Sequence, residues 1–152
     1  MGDIVFNIAK GKAGYYSTLP ATNDALIIVL CKSTGLVADA TMIDYDDLAT
    51  ILAGATDEAD FTNYARKTIT SVTPTVDDTN DRLDVTMANI TWTTAGGASN
   101  NSLGALLVCY DSDTTTGTDA NIIPLTKHDF VATTDGSDLT AQITAPGFYR
   151  AA

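Results

Sequence analysis

Two runs of the chain, ALIIVLCK (25–32) and SLGALLVCY (102–110), are apolar at almost every position. A strand with one wet face alternates apolar and polar residues, because successive side chains point to opposite sides. Neither run alternates. Both are short for a buried helix, so each reads as a strand covered on both faces, either central in a sandwich or under a neighbouring subunit. Strands of that kind force a layered structure. The material for one is present: 152 residues, 45% of them hydrophobic, make one domain that buries roughly 70% of its unfolded surface.

The remaining segments follow from turn chemistry and periodicity. Residues 4–9 (IVFNIA) read as a first strand. The segment 11–24 holds two glycines, a proline and many polar residues, so 1–24 is expected as an extended N-terminal arm. One helix is expected over 44–53 (DYDDLATILA). Asp44 would be its N-cap, Asp46 and Asp47 its acidic first turn, Ile43 and Leu48 a hydrophobic staple, and Gly54 its stop. A short helical turn is expected within 56–64.

Residues 65–73 and 83–93 read as paired strands joined by PTVDDTNDR. In the second, Leu83, Val85 and Met87 share one parity and Ile90 and Trp92 the other. A β-bulge at Ala88–Asn89 would turn all five inward. Strands are also expected at 121–125, 128–133 and 138–144. The last two would form a hairpin around Asp135-Gly136. The fold class that results is mainly β: an antiparallel β-sandwich, a jelly roll being one form of it, with one short helix.

The net charge is −11, from 19 acidic and 8 basic residues. Such a surface repels phosphate backbones and anionic lipids, so neither nucleic acid nor a membrane is an expected partner. No run approaches the ~18 apolar residues of a membrane span, and MGDIVFNIAK lacks the basic start and apolar core of a secretory signal. Synthesis in a cytoplasm is the expectation. Cys31 and Cys109 each end an apolar run and read as buried, reduced thiols; a bridge requires their strands to be neighbours.

A search for chemistry finds no complete motif. His128 is the single histidine. Its neighbour Asp129 faces the other way in a strand, so those two cannot form a dyad. One His and two distant Cys cannot build a zinc site. The loop in CYDSDTTTGTDANI offers Asp111, Asp113 and Asp119. An EF-hand frame begun at Asp111 places glycine at the seventh position and Ile122 at the twelfth, where glycine at the sixth and glutamate are needed. A solvated turn explains these aspartates better than a calcium cradle does. No catalytic group, metal or cofactor is assigned, and an aspartate-based hydrolase is the weakest of the functional readings. The surplus features are Lys10, Lys12, Tyr15 and Tyr16, a basic and aromatic spot near the N-terminus. It is read as a set of assembly contacts, against the alternative that the tyrosines cover their own domain.

The stretches TDEADFTNYARKTIT, DDTNDRLDV, GALLVCYDSDTTTGTDANIIPLTKHDF and TDGSDLTAQITAPGFYRA resemble small virion proteins of tailed bacteriophages that are encoded beside the major capsid protein. The resemblance implies a head decoration, or cement, protein: a β-rich homotrimer on the outer capsid surface that reinforces the shell. Its partners would be further copies of itself and the major capsid protein. It carries no functional-residue motif to transfer. The alternative reading is a virion module for a host-surface glycan, with Trp92 and exposed tyrosines stacking on sugar rings.

Overall fold

A computed structural model describes residues 2–152. It is mainly β, with 37% of residues in strands and 13% in helices, and every strand pairing is antiparallel. The two apolar runs are β2 (Ala25–Lys32) and β7 (Ser102–Asp111), and they pair along their whole length with Ile28 opposite Val108. They occupy the middle of a five-stranded sheet. β8 (Ile123–Thr133) and then β1 (Ile4–Val5) flank β7, and β3 (Lys67–Ile69) flanks β2. Every β2 residue but Lys32 and every β7 residue but Ser102 is buried. Covering both faces is what their missing alternation requires. Each fully buried Leu, Ile or Val contributes about 1.5–3 kcal/mol of burial, so this strand pair is the centre of the core.

Gly104 interrupts the apolar run of β7 for a steric reason. A Cβ there would lie 2.9 Å from the Ser33 Cα. The same place shifts register against β8: Leu103 pairs with Ala132 and Ala105 with Asp129, so β8 carries an extra residue opposite Gly104. β8 also runs straight through Pro124, where the sequence suggested two strands. The register with β7 shifts between Val108 and Cys109, the sort of place that tolerates a residue without an N–H.

The smaller sheets correct several expectations. The segment 65–73 divides: β3 joins the main sheet, while β4 (Val72–Asp77) pairs with β5 (Arg82–Met87) and β5 with β10 (Tyr149–Ala151). Ala88–Asn89 is a strand break, with no bulge. The chain leaves the β4–β5–β10 sheet there, and β6 (Ile90–Trp92) pairs separately with β9 (Leu139–Ala141). The parity change was a true signal all the same, since Val85, Met87, Ile90 and Trp92 are all buried. Asp135-Gly136 turns the chain with Gly136 at φ 98°, yet β8 and β9 belong to different sheets and form no hairpin.

Three short helices replace the one expected. α3 covers only Leu48–Ala53, capped by Asp47, whose carboxylate accepts from the Thr50 N–H (2.7 Å) and from its hydroxyl (2.9 Å). Asp44 instead accepts from the Asn7 side chain. α2 is Asp39–Met42. Residues 56–64 hold no helix: Ala59 donates to Leu30 and Lys32 donates to Asp57, which extends the edge of β2.

The N-terminal segment is not an extended arm. After β1 it makes a 3-10 turn over Asn7–Ala9 and then α1 (Ala13–Tyr16), with Phe6, Ala9, Ala13 and Ser17 buried. Its small residues permit close docking; a Cβ on Gly14 would meet Leu83 at 2.7 Å. Glycine breaks regular structure in a composition argument, whereas here Gly14 is a packing contact.

Candidate functional site

The 3-10 turn and α1 bring Lys10, Lys12, Tyr15 and Tyr16 into one short segment. Lys10 and Lys12 are exposed, and Tyr15 is 63% exposed. Tyr16 faces inward and stacks on Tyr110 with centroids 4.6 Å apart, while the Tyr110 hydroxyl donates to Asp24 at 2.9 Å. Three of the four therefore remain free to touch a partner.

The charge pattern singles out the same place. Lys32, Arg66, Arg82, Lys127 and Arg150 all pair with carboxylates of the chain itself. Lys67 sits over the Trp92 ring, 5.7 Å from its centroid. Among the described residues this leaves Lys10 and Lys12 as the cations with neither a carboxylate nor an aromatic partner; Lys10 reaches only the Asn7 amide oxygen (2.7 Å). Large apolar side chains are also exposed at Val76 on β4 (69%) and Val131 on β8 (88%).

The aspartate loop is held by the protein's own groups. Asp111 is buried and accepts from the Asp113 N–H at 3.0 Å. Asp113 accepts from Thr115, backbone and hydroxyl. Asp119 lies on the Arg66 guanidinium, which also forks onto both oxygens of Glu58 (2.8 and 2.7 Å). Arg66 holds the Asp119 carboxyl below the usual carboxylate range against the opposing effect of burial, and the guanidinium is itself pushed above its ordinary value by Asp119 and Glu58. Tyr64 completes the cluster, donating to Glu58 (2.8 Å) and accepting from the Leu30 N–H (3.2 Å). Among the described residues, no group of three or more His, Cys, Asp or Glu side chains is placed to hold a metal ion.

Both cysteines are free and buried. Their strands are neighbours, but Cys31 pairs with Ala105 and Cys109 with Ile27. Four residues of offset put them about 13 Å apart along the strands, beyond disulfide reach. Burial pushes the Cys31 thiol up to about 12, with Glu58 adding to it, and raises Cys109 as well. Trp92 is 1% exposed and its indole N–H donates to the Ala65 carbonyl at 2.9 Å, so it offers no face to a sugar ring.

Two polar clusters on β8 were not found from the sequence. Lys127 has a fully buried side chain. Its ammonium donates to Asp129 (2.7 Å) and to the Gly2 carbonyl (3.0 Å), and Asp39 lies 3.0 Å away in an ion pair. Burial alone would lower this ammonium; Asp129 and Asp39 outweigh it and hold the pKa above the ordinary value. On the other face, the His128 ring has Asp3 Oδ2 3.1 Å from Nδ1 and Thr126 Oγ1 3.0 Å from Nε2, while Asp3 Oδ1 accepts from the Asp129 N–H (2.9 Å). Burial tends to raise the Asp3 carboxyl, but the Asp129 amide and the His128 ring bring it below the usual carboxylate range. His128 does turn away from Asp129, as a strand demands; its carboxylate comes from β1. The pairing of Ile4 with Lys127 carries Asp3 opposite His128, a register that no local pattern in the sequence reveals.

Among the described residues, no helix is long and apolar enough to cross a membrane. Comparison with known proteins returns no match: no protein-family model, curated protein or solved structure aligns with the chain at a significant level.

Proposed function

We propose that the chain is a structural virion protein that binds the outer surface of a tailed-phage capsid as a homotrimer and reinforces the shell. The observation that carries this reading is the N-terminal contact spot. Lys10, Lys12 and Tyr15 stand on a segment whose opposite side is buried through Phe6, Ala9 and Ala13. A spot on backbone that is already folded loses less entropy on docking than a free arm would, and repetition over many copies on a shell multiplies a weak contact. The likeness of the second half to small capsid-associated proteins supports the same reading. A host-glycan module has less support, because Trp92 is buried and only Tyr15 is available for stacking.

Sedimentation of the purified chain, alone and with expanded capsids of a tailed phage, tests the proposal. A trimer that co-sediments with capsids, and loses that binding in a Lys10→Glu/Lys12→Glu variant of unchanged melting temperature, is the expected result. A monomer that stays in the supernatant would sink it.

A further inference from the structure

Thr126, His128 and Asp3 make a continuous hydroxyl–imidazole–carboxylate chain at the wall of a cleft. Asp3, Val5, Thr126 and His128 line one side, and Phe148, Tyr149 and Arg150 from the C-terminal segment line the other, around a volume of about 350 Å³. A smaller cavity of about 170 Å³ continues past His128 between Val108 and Ile143. The exposed Asp3 carboxylate accepts from the Asp129 N–H and lies against Nδ1 of the ring, a contact that selects the tautomer with its proton on Nδ1. Nε2 then presents its lone pair to the Thr126 hydroxyl. A base within hydrogen-bond reach of a hydroxyl, and itself oriented by a carboxylate, is the arrangement that activates an alcohol as a nucleophile.

We propose that this cleft is an acyl-transfer site for small carboxylic esters, with Thr126 as the nucleophile, His128 as the general base and Asp3 as a positioning residue. Thr126 Oγ1 bonds to the ester carbonyl carbon as its proton passes to Nε2. The tetrahedral intermediate collapses, the C–O bond to the leaving alcohol breaks, and that alcohol takes the proton from Nε2. Water then attacks the acyl-threonine ester, with Nε2 again taking and returning a proton. The products are one acid and one alcohol, and Thr126 is restored. Arg150, paired with Asp84 through Nε and Nη2, is the cationic side chain on the opposite wall of the cleft. The charged and titratable groups around the ring are Asp3 on β1, Lys127 and Asp129 on β8, and Tyr149 and Arg150 across the cleft. The site shares no residue with Lys10, Lys12 and Tyr15, so its chemistry is tested separately from capsid binding.

The test is covalent labelling of the full chain by a fluorophosphonate probe, mapped by mass spectrometry, together with release of p-nitrophenol from p-nitrophenyl acetate. The expected label is on Thr126. Thr126→Val should abolish it, Thr126→Ser should retain it, and His128→Gln should lower it by about a hundredfold or more. Asp3→Asn keeps an oxygen for the Asp129 N–H but loses the charge beside His128, so it should lower the melting temperature by only a few degrees while lowering the labelling rate of the still-folded protein. Labelling that is absent, falls on a lysine or persists in Thr126→Val would overturn the proposal.

Discussion

Arg66 decides where the aspartate loop lies. Its guanidinium joins Glu58, on the segment that borders β2, to Asp119 at the far end of the loop, and it does so with both faces of the fork. Removing it would leave two carboxylates close together with Tyr64 still aimed at one of them. The side chains in this cluster are a quarter to a third exposed, so water recovers part of the loss. Arg66→Ala should cost about 1–3 kcal/mol, which for a domain of this size lowers the melting temperature by very roughly 2–12 °C. Arg66→Lys should recover only part of that, since an ammonium cannot bind two carboxylates in bidentate fashion. Thermal denaturation followed by circular dichroism would distinguish the three proteins. A change too small to resolve in Arg66→Ala would mean that the loop is held elsewhere. Gly147 makes a sterner case at the same scale. At φ 115° its missing Cβ leaves room for the Val85 carbonyl, which a methyl group would meet at 2.0 Å. Gly147→Ala should therefore loosen the β5–β10 pairing by well over 1 kcal/mol, read out as a lower urea midpoint.

At the scale of elements, α3 gives a direct contest between two aspartates. Asp44 and Asp47 both precede the apolar face of Leu48, Ile51 and Leu52, and the acidic first turn and the Ile43–Leu48 staple favour Asp44 on sequence alone. Asp47 has the extended backbone of a cap and bonds the Thr50 N–H. Asp47→Ala should cost about 1 kcal/mol in urea unfolding. Asp44→Ala should cost less, because it loses only an exposed contact to Asn7. The reverse order would move the helix start back to the position that periodicity suggested. The two-sided strands β2 and β7 could be read to within a residue, because burial on both faces writes itself into every position. The change of parity at Ala88–Asn89 could be read as an interruption but not as a change of sheet, since a bulge and a departure place the same residues inward. The hairpin expected at Asp135-Gly136 failed for a related reason: turn chemistry reports that the chain reverses, not which strands then pair. The relay around His128 was hidden because Asp3 and His128 are 125 residues apart. Only the sheet order joins them.

At the scale of the whole molecule, the core isolates its thiols. Cys31 and Cys109 lie in the central strand pair with no exposed surface, and burial raises both above the ordinary thiol range. A thiol reagent should therefore react with the native protein only as fast as the β2–β7 pair opens, and with both cysteines together. Stoichiometric reaction of one cysteine under native conditions would show that one end of the pair opens by itself.

Acid should act on the molecule as a whole, because its carboxylates are engaged from end to end of the fold. Asp3, Asp39 and Asp119 have folded-state pKa values depressed by hydrogen bonds and nearby cations that outweigh burial. Asp60 and Asp84 are depressed chiefly by their bonds to Lys32 and Arg150. A carboxyl with a lower pKa in the folded chain than in the unfolded one binds its proton less readily when folded. Its contribution to stability is complete above the unfolded value of about 3.9 and is lost as pH falls through the folded value. These groups tie β1 to β8, α2 to Lys127, the aspartate loop to Arg66, and β10 to β5. Their protonation should loosen all of those junctions in one pH interval, below about 4, and stability should stay nearly flat with respect to these groups between pH 5 and 7. Urea midpoints measured from pH 7 to pH 2.5 would give the profile. An Asp119→Asn variant should be less stable at pH 7 and should converge on the parent at pH 2.5, where the parent has lost the same charge. Parallel profiles for the two proteins would show that Asp119 contributes through neutral hydrogen bonding, and that its ion pair with Arg66 adds nothing to the fold.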